Sequence, residues 1–210
     1  DEIIAGHWHD QFLVDMIQGG AGTSTNMNAN EVIANRALEL WGKQKGEYQF
    51  IHPNNHVNLG QSTNDAYPTA IRLATLQSIP VLVESLEELC QTLSKKGKEF
   101  SDVIKMGRTQ LQDAVPMTLG QEFEAFSVTL REDFARIREG AKLFLELSIG
   151  GTAIGTGINS HPKYAATAIK KIKEITDLDV VASPNLIEAT PEQHNNTCRS
   201  PDTGHKKRVS

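Results

Sequence analysis

PMTLGQEFEAFSVTLREDFARIREGAKLF, residues 116–144, is the stretch that decides the fold. Apolar side chains recur in it every three or four residues, which places them on one face of an α-helix over about five turns. The members of this stripe are Phe126, Leu130, Phe134, Ile137, Ala141 and Phe144. Because proline favours the first turn of a helix, we expect this helix to follow Pro116.

A second apolar repeat lies upstream, and its 3-4-3-4 spacing is typical of helices that pack like coiled coils. Its members are Ile79, Leu82, Leu86, Leu89 and Leu93. We expect this helix to start near Pro68. Pro80 is expected to kink or restart it, with Ser78 as a candidate cap.

Two shorter helices are predicted on either side of this pair. Residues 28–42 carry one, with Gly42 as its stop and with one apolar face formed by Ile33, Ala37, Leu40 and Trp41. Residues 163–176 carry the other, with inward side chains at Ala165, Ala168, Ile169, Ile172 and Ile175. Residues 46–61 and the glycine-rich residues 150–160 are predicted connections. Alternating strand patterns are few, so the predicted class is all-α with long helices.

The apolar stripes on these helices present more apolar surface than the predicted helices can bury against one another. A helical bundle shared between chains would supply that cover. An ordinary monomeric helical domain is equally consistent with the pattern.

Composition and charge exclude several classes of protein. The chain has 210 residues and a net charge of −5, without the basic face of a nucleic-acid binder. No segment is long and apolar enough to span a membrane, and the opening residues are not expected to form a signal peptide. Cys90 and Cys198 form no C-x-x-C pattern, which favours a reducing, cytoplasmic compartment.

The two ends of the chain differ from its middle. The opening residues, 1–12, contain no methionine and are expected to continue a longer protein. Residues 191–210 are polar and are predicted to form a disordered tail. The basic cluster at residues 206–208 is expected to be solvated, with a localisation signal as the weaker alternative.

Three segments are rich in neutral hydrogen-bonding side chains. They are GGAGTSTNMNANE at 19–31, QSTNDAYP at 61–68 and GRTQLQDAVP at 107–116. Each precedes a predicted helix, where free backbone N–H groups favour an anion. The alternative is structural, since Ser62 or Asn64 could simply cap a helix and glycine-rich turns are common.

Other chemistries fit the sequence poorly. It contains no phosphate-binding G-x-x-x-x-G-K-[ST], no G-x-G-x-x-G after a strand and no G-x-S-x-G. The histidine pairs His7/His9 and His52/His56 lack the spacing and the neighbours of a metal site. What remains is a set of neutral donors, which suits a reaction that builds negative charge on a carboxylate.

The segments 19–40, 46–50, 56–58, 61–72, 105–123, 150–159 and 185–190 together resemble the aspartase/fumarase superfamily, most closely its aspartase branch. The resemblance covers nearly all of residues 1–190. It implies a cofactor-free ammonia-lyase that converts L-aspartate to fumarate, with Mg²⁺ as an activator in some relatives. It also implies a homotetramer around a central bundle, with each site drawn from three subunits.

The resemblance assigns substrate contacts residue by residue. Thr23 and Ser24 belong to the segment that holds the β-carboxylate, and Ser62, Thr63 and Asn64 contact carboxylate and amine. Thr109 and Gln110 come from the family's second region. Fumarases and some aspartases carry histidine at position 110, so Gln110 favours aspartase. Glutamine donates and accepts hydrogen bonds but cannot act as a base.

The family's third region, a G-S-S-x-M-P loop with the serine base, has no match in these 210 residues. No catalytic base is therefore assigned. The implied domains are the end of an N-terminal domain at 1–66, the first part of the bundle at 67–190 and the tail at 191–210. Two alternatives stay open: a fumarate hydratase or other superfamily lyase, and an inactive bundle-forming module.

Overall fold

A computed structural model describes residues 1–15, 17 and 22–190. The α-helices of these residues are α1 (Thr23–Leu40), α2 (Thr63–Glu99), α3 (Leu119–Leu143), α4 (Tyr164–Thr176) and α5 (Leu186–Ala189). The strands are β1 (Ile104–Thr109), β2 (Gln112–Thr118), β3 (Glu146–Leu147) and β4 (Val181–Ala182). Long helices with a few short strands confirm the predicted all-α class. The predicted tail at 191–210 lies outside the described residues.

The described chain forms two compact units. Among the described residues, the first contains those of 1–73 and 145–190, and the second contains Ala74–Phe144. The predicted division at residues 66 and 190 concerns the domains of a longer family protein and stays a prediction.

The first unit has an apolar core between α4 and the parallel pair β3–β4. Leu147, Ile149, Ile169 and Val180 are buried there. Ala168 and Ile172 pack against this cluster, as predicted. Ile175 was predicted to point inward but is exposed. The reason is that α4 ends one residue later, and Leu178 then supplies the apolar cover at that end.

Helix α1 ends where the sequence predicts. Gly42 has a positive φ of 75°, and its N–H donates to the Glu39 carbonyl at 2.9 Å. The N–H of Lys43 donates to the Leu38 carbonyl, which completes a Schellman motif. The predicted apolar face was wrong, because Ile33, Leu40 and Trp41 are exposed. The buried face is instead Asn26, Asn30, Ala34 and Leu38.

Helix α2 is longer than predicted. It starts at Thr63 rather than near Pro68, because a hydrogen-bonded cap at Ser62 satisfies its first turn. It is continuous through Pro80. Ser78 is no cap, since its hydroxyl donates to the Ala74 carbonyl within the helix.

In the second unit, α2 and α3 approach each other through small side chains. Cys90 and Ser127 are buried, and the Ser127 hydroxyl donates to the Cys90 carbonyl at 3.1 Å. A Cβ built on Gly120 would lie 2.3 Å from the Gly97 carbonyl oxygen, so glycine is required at that crossing. The predicted leucine seam is only partly covered, because Leu82 and Leu89 remain 49% and 46% exposed.

Residues 104–118 form an antiparallel hairpin that the sequence did not predict. Strands β1 and β2 pair from Ile104↔Thr118 to Thr109↔Gln112. Pro116 therefore lies in β2 and does not open α3. Helix α3 begins at Leu119, because Thr118 and Gln121 form a reciprocal capping box.

The predicted α3 stripe is covered unevenly. Phe134 is buried, whereas Phe126 is 52% exposed. The second unit thus leaves apolar surface on both of its long helices.

Candidate functional site

The segment QSTND starts α2 with a capping box. The Ser62 hydroxyl accepts a hydrogen bond from the Asn64 N–H at 3.2 Å. In return, the Asp65 carboxylate accepts one from the Ser62 N–H at 3.0 Å. The structural interpretation of Ser62 as a cap is therefore confirmed. A cap and a substrate contact are compatible, because both roles use a hydroxyl that stands at the positive end of a helix.

Buried asparagines connect the first turn of α1 to the start of α2. The side-chain amide of Asn26 donates to the Thr63 hydroxyl at 3.0 Å and to the Asn58 side-chain oxygen at 3.3 Å. Asn30 donates to the same Asn58 oxygen at 3.1 Å. Because amide donors and acceptors are paired here, the buried polar side chains are satisfied. The network fixes the rotamer of Thr63, a predicted substrate contact.

The network brings five of the predicted site residues to one place. Thr23 and Ser24 lie in the exposed first turn of α1. Ser62, Thr63 and Asn64 lie at the start of α2, which the Asn26–Thr63 hydrogen bond holds against that turn. The first turns of α1 and α2, each with neutral donors, are therefore joined by a hydrogen bond, and a helix N-terminus favours an anion.

Gly22 permits this close approach. It precedes α1 with a φ of 82°, a conformation that other residues adopt with strain. A Cβ at this position would lie 2.1 Å from a ring carbon of Tyr67. The aromatic ring of α2 therefore packs directly on the backbone that leads into Thr23.

The glycine-rich connection is attached to the same helix start. The Asn64 side-chain amide donates to the Ala153 carbonyl at 2.7 Å, and the Thr152 N–H donates to the Asp65 carboxylate at 2.9 Å. Burial raises the pKa of the Asp65 carboxyl, while the N–H donors of Ser62 and Thr152 act in the opposite direction. Burial and the nearby Asp65 charge also raise the pKa of Tyr164.

Thr152 is held in an unfavourable state. Its φ is +57°, in the left-handed region that β-branched residues rarely adopt. Its side chain is buried, with 7% of the residue exposed, and its hydroxyl has no hydrogen-bond partner within residues 1–15, 17 and 22–190. An unpaired buried hydroxyl costs about 1–3 kcal/mol.

Thr109 and Gln110 lie in the second unit, at the tip of the β-hairpin. Both are exposed. Gln110 and Leu111 form the two-residue turn, with φ values of 48° and 64°. Such turns normally take Asn-Gly, so Gln-Leu is a strained choice. The strain identifies this turn as a candidate functional position.

The histidine pair His52/His56 stabilises the short π-helix Pro53–Val57, of which His52 is the N-cap. His52 Nδ1 accepts hydrogen bonds from the N–H groups of Asn54 and Asn55, and His56 Nδ1 accepts one from the His52 N–H. Within the described part of the chain, no group of three or more His, Cys, Asp or Glu side chains is arranged to hold a metal ion. The described helices also include none long and apolar enough to cross a membrane.

Sequence reasoning missed Asn26, Asn58 and Asp65. The S-x-x-D spacing of Ser62 and Asp65 is a capping-box signal that could have identified the carboxylate. The asparagine network carries no such local signal, because its members come from separate segments.

Comparisons with known proteins agree with this fold and these segments. A family profile described as Lyase matches residues 1–198, which defines the class of protein. The chain is 62% identical to an aspartate ammonia-lyase of Pseudomonas canavaninivorans over 90% of its own length and 40% of the relative's. For the aspartate ammonia-lyase of Escherichia coli (strain K12), the identity is 55%, with 91% and 40% covered.

Two solved structures also match the chain. The fumarate lyase:delta crystallin from Brucella melitensis bound to cobalt superposes with a TM-score of 0.84 and 59% identity, over 90% of this chain and 41% of that one. Recombinant class II fumarase from Schistosoma mansoni superposes with a TM-score of 0.74 and 35% identity, over 90% and 43%.

The chain therefore belongs to the aspartase/fumarase superfamily of lyases. It spans about 40% of the length of the curated relatives it matches. Enzymes of this superfamily need no organic cofactor.

Proposed function

We propose that this chain is part of an aspartate ammonia-lyase, which eliminates ammonia from L-aspartate to give fumarate. The observation that carries the proposal is the hydrogen bond from Asn26 to Thr63, at 3.0 Å. It joins two polar helix starts, and the proposal is that hydroxyl and amide donors of both would bind one anion. High identity to aspartate ammonia-lyases supports aspartate as the substrate.

The chemistry needs neutral donors more than a metal ion. A base removes a proton from the carbon beside the β-carboxylate, and the electron pair passes into that carboxylate as an enediolate. The intermediate then re-forms the carboxylate, makes the carbon–carbon double bond and breaks the C–N bond, so that the amine leaves as ammonia. Preorganised donors stabilise the dianion, each by about 3–4 kcal/mol by analogy with oxyanion holes.

Different donors of this chain would contact different groups of the substrate. Thr23 and Ser24 would hold the β-carboxylate, where the charge increases. Ser62, Thr63 and Asn64 would contact the carboxylate and amine, and the positive ends of α1 and α2 favour these anionic groups.

Thr109 and Gln110 would contact substrate in the assembled protein, in which, as the resemblance implies, each site draws its regions from different subunits. The exposed turn at the hairpin tip presents both side chains to solvent, where they are available to a substrate. Gln110 would act by hydrogen bonding, since an amide does not titrate. The serine base of the superfamily's third region has no counterpart among these residues. An activating Mg²⁺, which the resemblance implies for some relatives, would act without a cluster of three or more His, Cys, Asp or Glu side chains in the described part of the chain.

We further propose that the chain assembles into a homotetramer through its long helices. Exposed apolar residues on α2 and α3 support this, because Leu82, Leu89 and Phe126 are about half exposed. The resemblance to the superfamily favours a cytoplasmic location.

The test is a lyase assay on the purified protein. Fumarate released from L-aspartate is followed by its ultraviolet absorbance, and hydration of fumarate is measured in parallel. Release of fumarate supports the proposal. Hydration without deamination would favour a fumarate hydratase, and a folded protein that does neither would favour an inactive bundle module.

A further inference from the structure

The glycine-rich loop GGTAIGTG, residues 150–157, is attached to the start of α2 through Asp65 and Asn64. The Asp65 carboxylate accepts a hydrogen bond from the Thr152 N–H at 2.9 Å and another from the backbone of Gly150. The Asn64 side-chain amide donates to the Ala153 carbonyl at 2.7 Å. Adjacent residues on α2 thus bind adjacent residues of the loop, although the two segments are far apart in sequence.

Asp65 is the centre of this attachment. It is fully buried, and its two oxygens are divided between two segments. One oxygen accepts from the Ser62 N–H at 3.0 Å, and the other accepts from the Thr152 N–H. A carboxylate is suited to this position because it offers acceptors on both sides and no donor that would oppose an N–H.

We infer that Asp65 is a positioning residue of the carboxylate pocket, which joins the backbone of Ser62 to the glycine-rich loop and thereby fixes the donors of Ser62, Thr63 and Asn64. Asp65 is buried and acts through these residues rather than on the substrate. The glycine-rich loop is then part of the support of the pocket and not merely a connection. The inference rests on the proposed function for the identity of the pocket.

The state of Thr152 supports the inference independently. Thr152 is β-branched, has a φ of +57° and has a buried hydroxyl with no partner among the described residues. The loop sequence alone would not favour this conformation. Contacts from elsewhere must impose this conformation. The Asp65 carboxylate is positioned to do so, because it binds the Thr152 N–H directly.

The first measurement is residue-resolved hydrogen exchange on the unaltered protein. Because one carboxylate holds both N–H groups, the amides of Ser62 and Thr152 are expected to be protected and to open together. Rapid exchange at either amide, or two clearly different opening equilibria, would overturn the inference. This readout requires neither a variant nor enzymatic activity.

The second measurement uses Asp65→Asn, which keeps the shape but turns one acceptor into a donor. Exchange at both amides is expected to accelerate about tenfold or more. In the lyase assay, KM for L-aspartate is expected to rise about 10- to 100-fold with a smaller change in kcat, because prearranged substrate contacts are lost.

The control is Val180→Ala, a core substitution in the same unit that destabilises the fold without contacting Asp65. It should lower the melting temperature but leave KM and the exchange at Ser62 and Thr152 unchanged below melting. If Asp65→Asn behaves like this control, Asp65 is only structural and the inference fails. If residues 1–190, carried in a full-length relative, support no lyase activity, the proposed function fails, and the exchange data alone decide whether Asp65 joins the two segments.

Discussion

The Thr63 hydroxyl belongs to the asparagine network and is also a proposed substrate contact. Its removal is therefore the most informative single change. The hydroxyl accepts a hydrogen bond from Asn26 and would donate its own proton to a carboxylate oxygen. Thr63→Val keeps the side-chain shape and removes both contacts. We expect kcat/KM for L-aspartate to fall about 100- to 1,000-fold, as when an oxyanion donor is lost.

The matched control for that change is Thr129→Val on α3. Thr129 is exposed, and its hydroxyl bonds only within its own helix, to the Ala125 carbonyl. Kinetics equal to the unaltered protein are expected for Thr129→Val. Equal kinetics in Thr63→Val would exclude Thr63 as a substrate contact.

Glu2 links the stability of the first unit to pH. Hydrogen bonds from Arg36 and then Trp8 lower the pKa of the Glu2 carboxyl from 4.5 to about 2. The folded state therefore favours the ionised form. This stabilisation is complete above pH 4.5 and is lost as the pH falls through about 2.

The corresponding variant is Glu2→Gln. Its free energy of unfolding should fall less steeply between pH 4.5 and 2 than that of the unaltered protein, as measured by denaturant titration. Glu84→Gln, an exposed change on α2, corrects for the loss of one carboxylate. Identical slopes for Glu2→Gln and the unaltered protein would contradict the ion pair.

At the scale of elements, two glycines of α3 give opposite predictions for the same substitution. Gly120→Ala would place a Cβ 2.3 Å from the Gly97 carbonyl oxygen and should destabilise the protein by about 1–3 kcal/mol. Gly140→Ala meets no atom within 4 Å and should stabilise it by about 0.5–1 kcal/mol. Thermal unfolding measures the stability of both variants. Equal changes in stability for Gly120→Ala and Gly140→Ala would contradict the close approach of α2 and α3 at Gly120.

The hairpin turn gives a second prediction at this scale. Leu111 is fully exposed with φ of +64°, a conformation that glycine adopts without strain. Leu111→Gly should therefore raise the free energy of unfolding by about 0.5–1 kcal/mol, since the turn then has its preferred residue type. A loss of stability would show that Leu111 contributes contacts in the assembled protein.

The sequence predicted the elements whose signals are local. Periodicity predicted α1, α3 and α4, and Gly42 marked the end of α1. The hairpin was missed because its turn lacks Asn-Gly and its strands alternate weakly. The buried face of α1 was missed because Asn26 and Asn30 are buried by hydrogen bonds rather than by apolarity.

The polar segments of the candidate site could be recognised in the sequence, but their geometry could not. The run at 61–68 attracted attention as hydrogen-bonding side chains before a helix, whereas the assignment of Ser62, Thr63 and Asn64 as substrate contacts comes from the resemblance to the superfamily and stays a prediction. Their attachment to Asn26 and to Thr152 depends on contacts between segments distant in sequence. No window of neighbouring residues contains that information.

At the scale of the whole molecule, exposed apolar residues on the long helices predict self-association. Sedimentation is expected to show a tetramer, and Leu89→Lys should shift it to smaller species because a charge cannot be buried without a partner. Ile175→Lys, at a more exposed apolar position on α4, should leave the tetramer intact. A monomer for the unaltered protein would contradict shared bundle helices.

The central claim is that the donors of this chain form the carboxylate pocket of an aspartate ammonia-lyase. The most direct test replaces the aligned segment of the Escherichia coli relative, which is 55% identical, with residues 1–190 of this chain. We predict that the chimera releases fumarate from L-aspartate within about tenfold of the unaltered relative, and that adding Thr63→Val removes most of this activity. A chimera that is folded and tetrameric but releases no fumarate would contradict the claim.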